Sequence, residues 1–175
     1  VTASRIPVPL SAVGSSITVI DREQIEGRES AFAIGLLRSV PGVAISQSGS
    51  IGSQTQLRMR GAEANQVLVL IDGIEANDPA GNAEFAFENL GTWDIDRIEV
   101  VRGAQSGLWG SDALAGVINV ITQRPDETLS VSGFGEGGSF GTWSAGTRIS
   151  GAVLGTRAGL SVSSIDSDGS NSSRN

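Results

Sequence analysis

LRMRGAEANQVLVLIDGIEAND, residues 57–78, and IDRIEVVRGAQSGLWGSDALAGVINVITQRP, residues 95–125, carry one pattern twice. Each opens on a strand-like run ending in Arg-Gly, at Arg60-Gly61 and Arg102-Gly103, and each continues into a more apolar strand-like run. The VLVLI run of residues 67–71 lacks alternation, so both of its faces are expected to be covered. Asp72-Gly73 is a turn signal directly after it. The strands at residues 98–102 and 117–122 are separated by the glycine- and serine-rich GAQSGLWGSDALAG.

Outward from these stretches, residues 1–15 contain two prolines and no stable period, and read as an extended leader. Residues 16–20 suit a short strand. Asp21 and Gln24 have capping-box spacing for a brief helix. Ser30 is placed to cap a second helix, in which Ala33, Leu36, Leu37 and Val40 fall at i, i+3, i+4 and i+7. Pro41-Gly42 ends it. A strand at 43–46 leads into SQSGSIGSQT, a polar loop, and residues 57–60 form the next strand. A second polar loop, ANDPAGNAEFAFEN, precedes residue 95.

After Pro125 the composition changes. LSVSGFGE, TWSAGTRIS and TRAGLSVSSI read as three short alternating strands. Trp143, Ala145, Thr147 and Ile149 share one face of the second, opposite Ser144, Arg148 and Ser150. Ala158, Leu160 and Val162 of the third oppose Arg157, Ser161 and Ser163. Apolar and polar faces alternating over about ten residues are what a transmembrane barrel strand needs, although a soluble half-buried sheet has the same pattern. Three strands close no barrel and leave open edges, and the chain stops in the polar run DSDGSNSSRN. It therefore reads as a fragment of a longer protein.

Composition narrows the chemistry. A 39% hydrophobic, 18% charged chain suits a folded domain, and 24 glycines with five prolines imply many turns. No run reaches the ~18 apolar residues of a membrane-spanning helix, so a membrane role requires β-structure. There is no cysteine, histidine or lysine, and all 12 basic residues are arginine. Disulfides, thiolate metal sites, imidazole bases, Schiff-base lysines and cysteine nucleophiles are thereby excluded, which argues against an enzyme. A net charge of −7 disfavours a nucleic-acid partner. The N-terminus lacks the basic start and apolar core of a signal peptide.

The two quoted stretches, in this order, resemble the plug of TonB-dependent outer-membrane transporters. The resemblance covers nearly the whole chain. It implies an α+β plug, a small mixed sheet with short helices filling the lumen of a 22-stranded barrel, followed by antiparallel barrel strands. The domain plan is then a leader at 1–15, a plug at 16–125 and the first three barrel strands at 126–175. The loop after Arg102 departs from the family pattern: Ala104 stands where proline is usual, Trp109 where tyrosine is usual and Ala115 where a second glycine is common. Gly103, Gly107, Gly110 and Gly116 suit tight turns better than ligand contact.

The resemblance also assigns candidate roles. Arg60 and Arg102 match arginines that meet paired barrel carboxylates and anchor plug to wall. A guanidinium in that interface needs a bidentate acidic partner. The loops at residues 47–55 and 75–87 match those that floor the cargo site, and they offer Ser48, Ser50, Gln54, Asn77, Asp78 and Asn82. The set is mainly neutral and hydrogen-bonding, and with the IDG turn and the loop lengths it is most similar to the cobalamin transporters; ferric-siderophore receptors are the near alternative. Val1-Thr2-Ala3 resembles the tail of a TonB box, an extended segment able to add to a partner's sheet edge. The implied partners are TonB with ExbB and ExbD, the protein's own barrel, cobalamin or a siderophore, and outer-membrane lipid. The implied location is the outer membrane, with the leader facing the periplasm. No cofactor or resident metal is implied.

Other matches carry less. Gly133, Gly135 and Gly138 satisfy G-x-G-x-x-G, but a strand-turn-strand follows instead of a helix. Ser139 sits in G-x-S-x-G with no histidine to complete a triad. Asn171-Ser172-Ser173 is a formal glycosylation site. Asp166 and Asp168 before Gly169 offer too few ligands for calcium, and a solvated loop accounts for them. Two other function classes stay open beside the transporter: a soluble extracellular binding module with a β-rich tail, and a hydrolase, which the missing nucleophiles and bases disfavour.

Overall fold

The computed structural model describes residues 16–28, 30–49, 52–153 and 155–168. They form two compact units that divide between Thr122 and Gln123.

In the first unit, β1 (Ser16–Ile20), β4 (Val67–Ile71), β5 (Ile74–Glu75), β6 (Ile95–Arg102) and β7 (Gly116–Thr122) make a mixed sheet in the order β1-β6-β7-β4-β5. Only β4 and β7 run parallel; β1 with β6, β6 with β7 and β4 with β5 are antiparallel. The non-alternating β4 is buried on both faces, as its sequence requires. Val67 and Val69 enter one apolar cluster with Ile20, Leu36, Leu37 and Ile118, while Leu68 and Leu70 enter another with Val101 and Val117.

Two helices and a hairpin cover the first of these faces. Helix α1 (Arg22–Gly27) is capped by Asp21, whose carboxylate accepts from the Gln24 N–H at 2.9 Å. Helix α2 (Ala33–Leu37) buries Ala33, Leu36 and Leu37; it ends before the expected Pro41-Gly42, and Val40 is buried from the turn that follows. Its cap differs from expectation. Phe32 holds the N-cap position without a side-chain bond, and Ser30 donates its hydroxyl to the Phe32 carbonyl. The helix starts later because residues 31–32 are tied to another segment: Phe32 bridges Gly91, and the Thr92 N–H donates to the Ala31 carbonyl. Strands β2 (Val43–Gln47) and β3 (Thr55–Met59) pair antiparallel as a separate hairpin.

The segment after β6 is not a simple loop. Helix α3 (Ser106–Trp109) contains Gly107, so that glycine lies in a helical turn. Gly116 has φ 157°, and a β-carbon there would collide with the Met59 sulfur and the Val101 carbonyl. Only glycine lets β7 start so close to β3 and β6. A partly buried cluster of one arginine and two acids lies along β6. The Arg97 Nε donates to Glu99 at 2.9 Å, Nη1 donates to Asp96 at 2.9 Å, and Glu99 is fully buried. Burial pulls the Arg97 pKa down, but the bonds and charges of Glu99 and Asp96 outweigh it and raise the net value.

The second unit is an antiparallel sheet of β8 (Ser130–Gly137), β9 (Trp143–Val153) and β10 (Thr156–Asp166), with β9 in the centre. Register places Val131 beside Ile149 and Ile149 beside Leu160, and this apolar row is open: 66%, 47% and 67% exposed. The opposite face is polar and covered, with Ser144, Arg148 and Ser150 all buried. Arg148 Nη2 donates to the Gln123 carbonyl at 2.7 Å, and the Ser150 hydroxyl donates to Asp126 at 2.8 Å. The segment entering β8 is thus held over the polar face. Phe134 shares that face and lies against Gly146, where a β-carbon would meet its ring.

Candidate functional site

Loops 47–55 and 75–87 are joined at their roots. The Gln56 amide donates to both Glu84 carboxylate oxygens at 3.2 and 3.0 Å, and the Thr55 N–H donates to Glu88 at 3.2 Å. An open cleft of about 360 Å³ beside these roots is lined by Arg38, Gln47, Thr55 and Glu88 among others. The two loops therefore form one connected surface. The alternation of TQLRM turns Gln56 and Arg58 away from the buried Leu57 and Met59, a sequence signal for Gln56, while Glu84 and Glu88 carry none.

The expected contact residues divide by orientation. Ser48 is exposed, and its hydroxyl and N–H both donate to the Gln54 carbonyl, closing the first loop. The exposed Gln54 keeps its side chain outward. Ser50 lies outside the described residues, as do Val1, Thr2 and Ala3. Asp78 is exposed and accepts from the Ala80 N–H at 2.9 Å, while its backbone bridges Glu84. Asn82 is exposed at φ 59° and Ala83 follows at φ 57°, two consecutive left-handed residues that turn the loop tip.

Asn77 is placed differently from Ser48, Gln54, Asp78 and Asn82. It is buried, and its amide is spent on backbone. Oδ1 accepts from the Val69 N–H at 2.7 Å, and Nδ2 donates to the carbonyls of Val67 at 3.0 Å and Ala83 at 2.8 Å. β5 pairs with only two residues of β4, and beyond it the Asn77 side chain serves as the missing peptide partner. Its place is therefore beneath the loop, since a side chain with donor and acceptor already engaged has little left to offer a ligand.

The Arg60 side chain reaches the backbone that follows Arg102, 42 positions further along the chain. Arg60 follows β3 at φ 53°, and its N–H donates to the Gly42 carbonyl. Its guanidinium lies along the backbone after Arg102: a β-carbon on Gly103, whose φ is 113°, would stand 3.1 Å from Arg60 Nη1. Arg102 Nη1 donates to the Pro41 carbonyl and Nη2 to the Thr18 hydroxyl, each at 3.0 Å. Among the described residues neither arginine has a carboxylate partner. Two cations without a carboxylate partner among the described residues suit an acidic pair brought from elsewhere.

The family model described as TonB-dependent Receptor Plug Domain matches residues 9–117. Over 128 residues the chain is 42% identical to the vitamin B12 transporter BtuB of Vibrio vulnificus (strain CMCP6), covering 73% of this chain and 21% of that protein. The chain thus spans about a fifth of this curated relative's length. Among solved structures, the alcaligin outer-membrane receptor FauA of Bordetella pertussis superposes with a TM-score of 0.78 at 21% identity, over 95% of this chain and 29% of that one. The ferripyoverdine receptor of Pseudomonas aeruginosa, bound to ferripyoverdine, gives 0.74 at 24% identity, over 95% and 22%. The ferric yersiniabactin uptake receptor FyuA of Yersinia pestis gives 0.66 at 23% identity, over 87% and 24%. At these identities the solved structures establish the fold alone.

Proposed function

The chain belongs to the TonB-dependent receptor plug family, and from that premise we propose that its first unit gates an outer-membrane barrel whose opening strands are β8, β9 and β10. The observation that carries this reading is the reversed polarity of the second unit. Its apolar row is exposed while Ser144, Arg148 and Ser150 are covered, the arrangement of a wall with lipid outside and a polar lumen inside. Water would select the opposite arrangement. Leader residues Val1, Thr2 and Ala3 face the periplasm and engage TonB, powered through ExbB and ExbD. Arg60 and Arg102 pair with carboxylates of the barrel wall and seat the plug.

The cargo is cobalamin or a related corrinoid, taken up over the joined loops by Ser48, Ser50, Gln54, Asp78 and Asn82. Support comes from the 42% identity to a vitamin B12 transporter and from the loops' chemistry. Residues 75–87 carry Glu75, Asp78 and Glu84 and no basic side chain, an unfavourable floor for an anionic ferric siderophore. A large ligand rich in amides and hydroxyls suits the neutral donors and acceptors. Calorimetric titration of the receptor that carries this chain, with cobalamin and with a ferric siderophore, tests the cargo. Gln54→Ala with Asn82→Gly, the latter keeping the left-handed backbone, should weaken cobalamin by about 1–3 kcal/mol. Siderophore binding without cobalamin binding would remove the corrinoid.

A further inference from the structure

We propose that Thr18 is a positioning residue that ties the seating of Arg102 to the edge strand β1, so that withdrawing β1 from the sheet unlatches the arginine. The inference rests on the reading above, in which Arg102 meets a wall carboxylate and the leader engages TonB. Among the described residues β1 pairs with β6 alone, in five residue pairs from Ser16–Arg102 to Ile20–Ile98. Thr18 lies opposite Val100, so Arg102 is its diagonal neighbour on the same face, within reach of a long side chain.

The guanidinium is oriented by a small set of contacts. Nη2 donates to the Thr18 hydroxyl and Nη1 to the Pro41 carbonyl, both at 3.0 Å. Nε is buried, with no hydrogen-bond partner among the described residues, and its burial closes it to an incoming carboxylate. Such a partner must use the remaining protons of Nη1 and Nη2, whose directions Pro41 and Thr18 fix. Pro41 belongs to the turn after α2 and stays when β1 leaves. Thr18 leaves with it. One of the two tethers is then lost, and the freed side chain must be ordered again before it can pair. Tension on residues just ahead of Ser16 would thus reach a plug anchor through one hydroxyl.

The test uses the whole receptor in planar bilayers and under force applied at its N-terminus, comparing Thr18→Val, Thr18→Ser, Arg102→Ala and the Thr18→Val/Arg102→Ala double variant. Valine keeps the β-branched shape and removes only the hydroxyl. The expectation is that Thr18→Val raises the frequency of open conductance events about tenfold, the scale of one lost bond to a charged group. Thr18→Ser should stay near the unmodified receptor, and the double variant should leak no more than Arg102→Ala alone. If Thr18 merely packs β1, Thr18→Val lowers the extraction force but leaves resting conductance unchanged. That outcome, or additive leakage in the double variant, overturns the proposal. Should the valine variant fail to insert, Thr18→Ala against Thr18→Ser poses the same question. If Arg102→Ala itself does not leak, the anchoring reading fails first and takes this coupling with it.

Discussion

Replacing Asn77 should destabilise the plug unit well before any ligand is present. The side chain completes the outer edge of β4 where β5 ends, satisfying the Val69 N–H and the Val67 carbonyl on residues that are each 1% exposed. Asn77→Ala leaves both backbone groups without their partner, at about 1–3 kcal/mol each, and releases the Ala83 carbonyl at the loop surface. The expected loss is about 2–5 kcal/mol, a large share of the 5–15 kcal/mol by which domains are typically stable. Asn77→Asp is the sharper variant. It keeps the acceptor for Val69, but sets a carboxylate oxygen where Nδ2 now lies 3.0 and 2.8 Å from two carbonyls. At neutral pH it should therefore be no better than alanine despite its matching shape. Acidification should recover part of the loss, because the protonated carboxyl can donate to one carbonyl. Urea unfolding of a chain ending at Pro125 and hydrogen exchange at its Val69 amide measure both effects. Asn77→Ala within about 0.5 kcal/mol of the parent, the range of ordinary surface changes, would refute the brace.

A chain ending at Pro125 should be monomeric and protease-resistant without detergent, whereas the 175-residue chain should require detergent. The open edges of β8 and β10 and the exposed apolar row otherwise drive association, and sedimentation of the two chains compares them. Arg60→Ala combined with Arg102→Ala should loosen the seated plug by several kcal/mol, read as larger ion conductance, because two confined carboxylates lose their partners. An unfolded plug with unchanged conductance would instead make these arginines structural.

Much of the fold was legible because its signals are local. The unbroken VLVLI run required cover on both faces, and β4 has it from two separate clusters. The 3.6-residue stripe through Ala33, Leu36, Leu37 and Val40 placed α2, although not its cap, because residues 31–32 are tied to Gly91 and Thr92 far along the chain. Strict alternation in TWSAGTRIS set the two faces of β9, with Trp143 and Ile149 on one and Ser144, Arg148 and Ser150 on the other.

The site was less legible, for the opposite reason. An asparagine in a polar loop is written the same way whether it meets solvent or completes a strand, and Asn77 turns inward only because β5 stops after two pairs. Glu84 and Glu88 join the two loops through Gln56 and Thr55, contacts across 28 and 33 residues that no local period encodes. Arg60 and Arg102 each announced themselves by an Arg-Gly pair, but the approach of Arg60 to Gly103 needed the left-handed turn after β3. Periodicity and motif order are properties of neighbouring residues, and the sequence alone determined the family, the elements and their buried faces. Hydrogen-bond partners are chosen by which strands the topology sets side by side, and only the tertiary structure decided which polar side chains hold the scaffold and which stay exposed on the loops.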